Sequence, residues 1–439
     1  MKPRTNPSAP DAPRESALVQ IEKPIYGGAF LARMEGKAVF VSMTLPGERA
    51  RVRVTQEKRG YASAEIEEMV TTAPERVAPG CRHFGPCGGC AYQHANYAAQ
   101  LLFKQAILRE TLGRAGVRAP EEIHVLSAEP WRYRNRIRVG FDAQGNAGYR
   151  GRRSHGIVPI AECPIAAPLL VEAALAVAEI AGKSALRLDA LALFCDATES
   201  ALLATIFAGN LKRDRFEELA RALAEGVPAL AGADLAIEGR EGEPARTVAQ
   251  WGASSIAYRA AGFDYRVDHG AFFQVNRWLV DALIDRVTSG RTGALAWDLF
   301  AGVGLFARRL TSTFERVIAV ESAPAATAAL AHNLRGSSGT AVKADTLGFL
   351  RRNRHRPRPD LIVADPPRMG LGADICALLA EIAAPAMVYV SCDPATLARD
   401  LGALNGAGYE IESVTLADLF PQTFHLETVV HLRRVSIGG

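Results

Sequence analysis

Asp298-Leu-Phe300-Ala-Gly302-Val-Gly304-Leu305 closes a short apolar run, and its reading decides the fold of this chain. Glycines after a β-strand let the backbone turn sharply and approach a ligand closely, and a helix starts directly behind them. The third glycine of the dinucleotide fingerprint is missing, because position 307 is Ala307. No phosphate-cradling spacing replaces it, so the turn favours a nucleoside without a pyrophosphate. Downstream, apolar runs at 295–300, 316–321, 340–343, 361–364 and 387–391 alternate with helical stretches. Runs at 409–415 and 427–433 then follow each other with only a loop between them. Five β/α units and a closing hairpin predict an α/β, Rossmann-like doubly wound sheet with antiparallel strands at one end.

Working outward, 439 residues are too many for one ordinary domain. Residues 1–17 are rich in Pro and carry charges, and they read as a disordered leader without the apolar core of a signal peptide. Residues 18–72 hold short β-like runs punctuated by Gly-Gly, Glu-Gly and Pro-Gly, the pattern of a small antiparallel barrel of the oligonucleotide-binding type. Residues 73–268 form a central α+β region, with a helix expected over 96–114 whose apolar stripe is Tyr97, Leu101, Lys104, Leu108 and Leu112. Residues 269–439 carry the α/β pattern. No long uncharged apolar stretch is present, so no membrane span is expected. An odd number of cysteines, seven, without a secretory signal argues for the reducing cytoplasm.

Net charge is only +4, and its distribution says more. Seven arginines (132, 134, 136, 138, 150, 152, 153) stand against the single acid Asp142 between Trp131 and Arg153. Five more lie in Arg351-Arg352-Asn353-Arg354-His355-Arg356-Pro357-Arg358. One such run is as easily a solvated face, but two point to a polyanion, since Arg suits bidentate phosphate contacts.

In open α/β sheets ligands bind outside the carboxyl ends of the strands, so residues at those ends share one crevice. Glu321 ends the second strand, where an acid can bond both ribose hydroxyls. Asp365-Pro366-Pro367-Arg368 ends the fourth, a stiff acid-led loop like those that stand beside S-adenosylmethionine in methyltransferases. Amine-methylating enzymes usually place an aromatic after the prolines; Arg368 there leaves carbon as the target. Cys392 ends the fifth strand, in Ser391-Cys392-Asp393-Pro394. Carbon 5 of a pyrimidine is a poor nucleophile, so a thiolate must first add at carbon 6. A base must later remove the carbon 5 proton. Glu427, in Phe420-Pro-Gln-Thr-Phe-His425-Leu-Glu427, is the first candidate, and His425 is its rival, expected to face the other side of the strand. Cys81, Cys87 and Cys90, with Cys163 before Pro164, lack the paired spacing of common zinc ribbons. They suit a cubane 4Fe–4S cluster, with zinc as the alternative. Cys195 and Cys376 sit in apolar surroundings and read as core fillers.

Together these motifs resemble the RNA 5-methyluridine (uracil-C5) methyltransferases with a TRAM domain and a 4Fe–4S cluster, and most closely their 23S rRNA members. The resemblance spans nearly the whole chain after the leader, with Val39-Phe-Val-Ser-Met-Thr-Leu-Pro-Gly-Glu48 as the TRAM-like stretch. It implies Cys81, Cys87, Cys90 and Cys163 as cluster ligands and Cys392 and Glu427 as catalytic pair. Gln274, Phe300, Leu305, Glu321, Asp345 and Asp365 fall on S-adenosylmethionine positions. Leu305 stands where many relatives have Asn, which leaves only backbone for a contact there. The implied activity is methylation of a flipped-out uridine in 23S rRNA by a monomer. A tRNA T-loop target, or a non-catalytic RNA-binding iron–sulfur protein, are the alternatives.

Overall fold

A computed structural model describes residues 16–239, 243 and 245–435 of the chain. Positions 1–15 of the expected leader lie outside the described residues, while Ser16 and Ala17 already belong to a strand, Ser16–Pro24. With Ala29–Met34, Lys37–Ser42, Arg49–Glu57 and Tyr61–Thr71 that strand closes a five-stranded barrel, the fifth strand lying between the third and the fourth. Alternation explains the closure: Arg49, Arg51 and Arg53 face water while Ala50, Val52 and Val54 fill the interior.

The central sheet has seven strands in the order Arg246–Gly252, Leu230–Ile237, Leu202–Phe207, Ala190–Cys195, Arg136–Phe141, Ala147–Arg150 and Ile157–Pro159. Helices Pro168–Lys183 and Arg213–Gly226 pack Leu170, Val177, Phe216 and Leu223 against one face. The alternate residues of Arg136–Phe141 point to the other face: Ile137 and Val139 join the helix-covered core, and Arg136 and Arg138 do not.

The C-terminal sheet has eight strands in the order Gly339–Lys343, Phe314–Glu321, Gly293–Leu299, Leu361–Ala364, Ala386–Ser391, Glu427–Arg434, Tyr409–Ala417 and His124–Leu126. The first five are parallel, Glu427–Arg434 runs antiparallel to them, and Tyr409–Ala417, antiparallel to Glu427–Arg434, returns to their direction. This is the expected Rossmann-like sheet, with apolar layers on both faces. Its eighth strand was not expected. His124–Leu126 comes from the stretch assigned to the central region, yet it pairs in parallel with Tyr409–Ala417 and covers an otherwise open edge.

The helix expected over 96–114 runs Tyr97–Arg114, capped by the Asn96 side chain. Its buried face includes Lys104, Leu108 and Leu112 of the expected stripe, together with Ala99, Gln100, Phe103 and Ile107, while Tyr97 and Leu101 are only half-buried. The reason is that the helix serves two bodies. Ala99 and Phe103 enter the barrel core, whereas Ile107, Leu108 and Leu112 enter the C-terminal one. Among the described residues no helix is long and apolar enough to cross a membrane.

Candidate active site and cysteine loop

Parallel register gathers the strand ends. Leu299 lies opposite Ala364 and Val320, and Ala364 lies opposite Tyr389, so the segments after 299, 321, 364 and 391 open onto one crevice. From the antiparallel side Thr428 pairs with Ser391, which sets Glu427 beside Cys392. Asp365 closes the third side, and Gln274 reaches it with Nε2 donating to Asp365 Oδ2 at 3.4 Å. Gln274 is itself held by Asn135, whose Nδ2 donates to the Gln274 carbonyl at 2.9 Å. Cys392, Glu427, Asp365 and Gln274 are therefore brought together as expected from the sequence.

Burial shapes their charge. Cys392 is pushed up to about 12 by burial and by the Glu427 and Asp365 carboxylates, with Arg368 opposing. Burial, and then Asp365, raises Glu427 well above the usual carboxylate range. Burial raises Asp365 to about 7. Like charges in one dry site cannot all ionise, so these groups share protons.

His425 does not face away from the crevice as expected. Strand alternation gave no ground for that expectation, since residues two apart share a face, and His425 in any case precedes the strand Glu427–Arg434. Its Nδ1 lies 3.2 Å from Arg368 Nη2, and burial together with Arg368 lowers it to about 4, a neutral ring accepting from the guanidinium. Tyr26, from the barrel turn between Ser16–Pro24 and Ala29–Met34, also reaches this rim. Its hydroxyl donates to Asp393 Oδ2 at 3.3 Å and its ring packs edge-on against Phe424 at 5.8 Å. Nothing local in the sequence signals that contact, which joins residues 367 positions apart.

The glycine turn is built for close approach. Phe300, Gly302 and Gly304 all have positive φ (61°, 56° and 91°), and a Cβ on Gly304 would meet Leu330 Cδ1 at 2.6 Å. Gly302 donates its N–H to Glu321 Oε2 at 2.9 Å, and Ser322 and Ala323 donate to Oε1, which fixes the carboxylate at the strand end. Asp345 caps the helix Thr346–Asn353 through Gly348 N–H. Leu305 turns its side chain into the core, and its carbonyl accepts from Tyr265 Oη at 3.0 Å. Asp298 is fully buried, with Oδ2 accepting from Ala307 N–H at 2.8 Å and Oδ1 without a partner among the described residues. Burial, with Asp365 and Glu321 nearby, raises it to about 8. An orphaned carboxylate oxygen, a Cβ-free turn and an acid held at the next strand end fit a nucleoside cofactor.

The loop carrying Cys81, Cys87 and Cys90 is a string of turns, and Cys163 stands near all three. Burial raises the first three thiols, Cys90 to about 12, and Cys163 adds to each rise. Gly89 N–H donates to Cys87 Sγ at 3.4 Å. Among the described residues, no group of three or more His, Cys, Asp or Glu side chains could hold a metal ion. Cys195 and Cys376 are buried in apolar cores, as fillers should be.

Comparison with known proteins gives two family matches. Residues 357–435 match the tRNA (Uracil-5-)-methyltransferase family, and residues 13–66 match the TRAM domain. The 23S rRNA (uracil(1939)-C(5))-methyltransferase RlmD of Halomonas elongata is 33% identical over 430 residues, covering 93% of this chain and 87% of that protein. An uncharacterized RNA methyltransferase of Streptomyces avermitilis is 33% identical over 447 residues, covering 97% and 99%. The fold is also that of the Pyrococcus abyssi tRNA (uracil-54, C5)-methyltransferase solved with S-adenosyl-L-homocysteine. The TM-score is 0.74 at 22% identity, covering 94% of this chain and 100% of that one.

Proposed function

This chain belongs to the RNA uracil-C5 methyltransferase family, and within it we propose that Cys392 and Glu427 methylate one 23S rRNA uridine through a covalent adduct at carbon 6. The supporting observation is the pairing of Ser391 with Thr428, which sets a thiol and a buried carboxyl side by side at the crevice. Relatives named for 23S rRNA at 33% identity over most of the chain support the substrate. The same chemistry in the cytoplasm is expected of a chain whose cysteines are free.

A stacked uridine hides carbon 5, so the base is flipped into the crevice. Gln274 and Asp365 orient the uracil ring, with Asn135 holding Gln274 in place. The Cys392 thiol passes its proton to water in the crevice, and Sγ adds to carbon 6 while the ring electrons move toward carbon 5. S-adenosylmethionine, when bound, supplies an electrophilic methyl group to carbon 5. Glu321, Asp345, Asp298 and the backbone at Phe300 and Leu305 would hold it against the glycine turn. Glu427, as carboxylate, takes the carbon 5 proton; the carbon 6–sulfur bond breaks, and Sγ departs as thiolate. Burial and Asp365 favour the neutral form of Glu427 in the free protein, so its carboxyl proton passes to water in the crevice before it accepts the carbon 5 proton.

Cys81, Cys87, Cys90 and Cys163 would hold a 4Fe–4S cluster. Among the described residues no three of these side chains form a group that could hold a single ion, and four thiols standing near one another suit instead an iron–sulfur core several atoms across. Anaerobically purified protein is expected to be brown with about four irons per chain; a colourless protein with one zinc refutes the cluster.

Cys392→Ala is expected to abolish transfer of labelled methyl groups while RNA binding persists, and undiminished turnover would sink the mechanism. Glu427→Gln is expected to accumulate a denaturation-resistant RNA–protein adduct on gels. Mapping 5-methyluridine in rRNA and tRNA of a deletion strain fixes the target; loss only from tRNA overturns the 23S assignment.

A further inference from the structure

The N-terminal barrel meets the crevice at a tight turn. Ile25-Tyr26-Gly27-Gly28 joins the strands Ser16–Pro24 and Ala29–Met34, and Ile25 N–H closes it by donating to the Ala29 carbonyl at 3.0 Å. Gly27 and Gly28 have positive φ (102° and 85°), and a Cβ on Gly28 would meet Ala91 Cβ at 2.9 Å and Phe424 Cδ1 at 3.2 Å. The turn is thus wedged against the loop that leads to Glu427.

Tyr26 touches the supports of both reacting side chains. Its hydroxyl donates to Asp393 Oδ2 at 3.3 Å. Asp393 directly follows Cys392, and its other oxygen caps the helix Pro394–Gly406, accepting from Ala395 and Thr396 N–H at 3.0 Å each. Ser391 and Asp393 close a turn around Cys392: Ser391 Oγ donates to the Asp393 carbonyl at 3.2 Å and accepts from Asp393 N–H at 3.4 Å. A shift of Asp393 therefore carries Sγ with it. On the other side the Tyr26 ring stands edge-on to Phe424 at 5.8 Å, Phe424 packs on His425 at 4.3 Å, and Glu427 follows two residues later. Burial and the Asp393 carboxylate, with Arg368 opposing, raise the phenol above its ordinary range, so it remains a donor. Docking of the barrel does not require this hydroxyl. Ala99 and Phe103 in the barrel core, and the Lys23–Glu110 pair at 2.8 Å, already join the barrel to the helix Tyr97–Arg114.

Sγ must stand at carbon 6 along its line of attack while Glu427 reaches the carbon 5 proton, so the separation of the two side chains is part of the chemistry. We propose that Tyr26 is a positioning residue for this reaction: from the barrel it holds the Cys392 turn and the Glu427 loop at the separation that one pyrimidine ring requires. The proposal rests on the Cys392–Glu427 reading and adds to it a support from outside the catalytic domain.

The test compares Tyr26→Phe, which keeps the ring and loses the donor, with Tyr26→Ala, which loses both. At saturating RNA and cofactor, kcat for transfer of labelled methyl groups is expected to fall several-fold in the first and about a hundredfold in the second, with KM for RNA unchanged. In the free protein, iodoacetamide should label Cys392 faster in both variants, and most in Tyr26→Ala, because a freed turn and admitted water favour the thiolate. Buried Cys195 and Cys376 should stay unlabelled, which reports an intact fold. If they react in Tyr26→Ala, Tyr26→Phe decides. The proposal fails if kcat stands while KM rises, the behaviour of a barrel that only holds RNA. It fails equally if Cys392 is labelled at the rate of the unaltered protein. Absent methyl transfer by the unaltered protein would instead refute the methylation reading, and the labelling rates would still separate a held turn from a free one.

Discussion

Cys392 carries a thiol that burial and two neighbouring carboxyls hold protonated, near 12, which is an unusual resting state for a nucleophile. Glu427→Gln removes one of those negative neighbours, so the thiol should ionise at lower pH. Iodoacetamide labelling of Cys392 should then run several-fold faster than in the unaltered protein, with the gap widening as pH rises and the native Glu427 ionises; equal rates at all pH values would contradict the pairing. Asp298 gives a second test. Its folded-state value, about 8, lies above its ordinary one, so the folded chain holds a proton that the unfolded chain has released. By linkage, that group costs stability progressively as pH climbs from the usual carboxylate range to about 8. Asp298→Asn should therefore raise the melting temperature by a few degrees at pH 8 and hardly at all near pH 4, while weakening cofactor binding. Cys392 and Glu427 were legible in the sequence because a strand end and a closing hairpin predict where they stand. Tyr26 and Asn135 were not, because their contacts cross more than a hundred residues of chain.

At the scale of elements, the loop that leads to Glu427 is clamped from outside its own domain. Gln422, at a positive φ of 67°, exchanges two hydrogen bonds of 2.9 Å with Gln100 of the helix Tyr97–Arg114. Its carbonyl accepts from Ala91 and Tyr92, directly after Cys90. One turn along the helix, Lys104 meets Asp418 at 2.5 Å, both fully buried. Lys104→Met would leave a lone buried carboxylate and should cost roughly 3–5 kcal/mol in chemical denaturation. Pairing it with Asp418→Leu should recover most of that loss; a double variant no more stable than the single one would contradict a compensated pair. The helix itself was readable from its period, and so was the C-terminal half of its buried face, Lys104, Leu108 and Leu112, but Ala99, Gln100 and Phe103 were not. Periodicity reports one stripe, whereas this helix divides its contacts between the barrel and the C-terminal sheet.

Across the whole molecule, the α/β sheet after position 293, with its closing hairpin, followed from the alternation of apolar runs and the glycine turn. The central sheet did not, since its strands pair across helices and carry no comparable signal. The eighth strand of the C-terminal sheet escaped for a plainer reason: three residues, His124–Leu126, are too few to show a period. That short strand has a consequence for how the protein is made. Its partner, Tyr409–Ala417, is synthesised about 290 residues later, and at roughly 5–20 residues per second this separates the two by some 15–60 seconds on the ribosome. The catalytic domain is thus completed by pairing a strand made early with one made some 290 residues later. A fragment beginning at residue 269 would leave that edge bare and should aggregate when expressed alone. Adding residues 90–128 as a separate peptide should restore its solubility, and a soluble, monomeric fragment without the peptide would show that the early strand is dispensable.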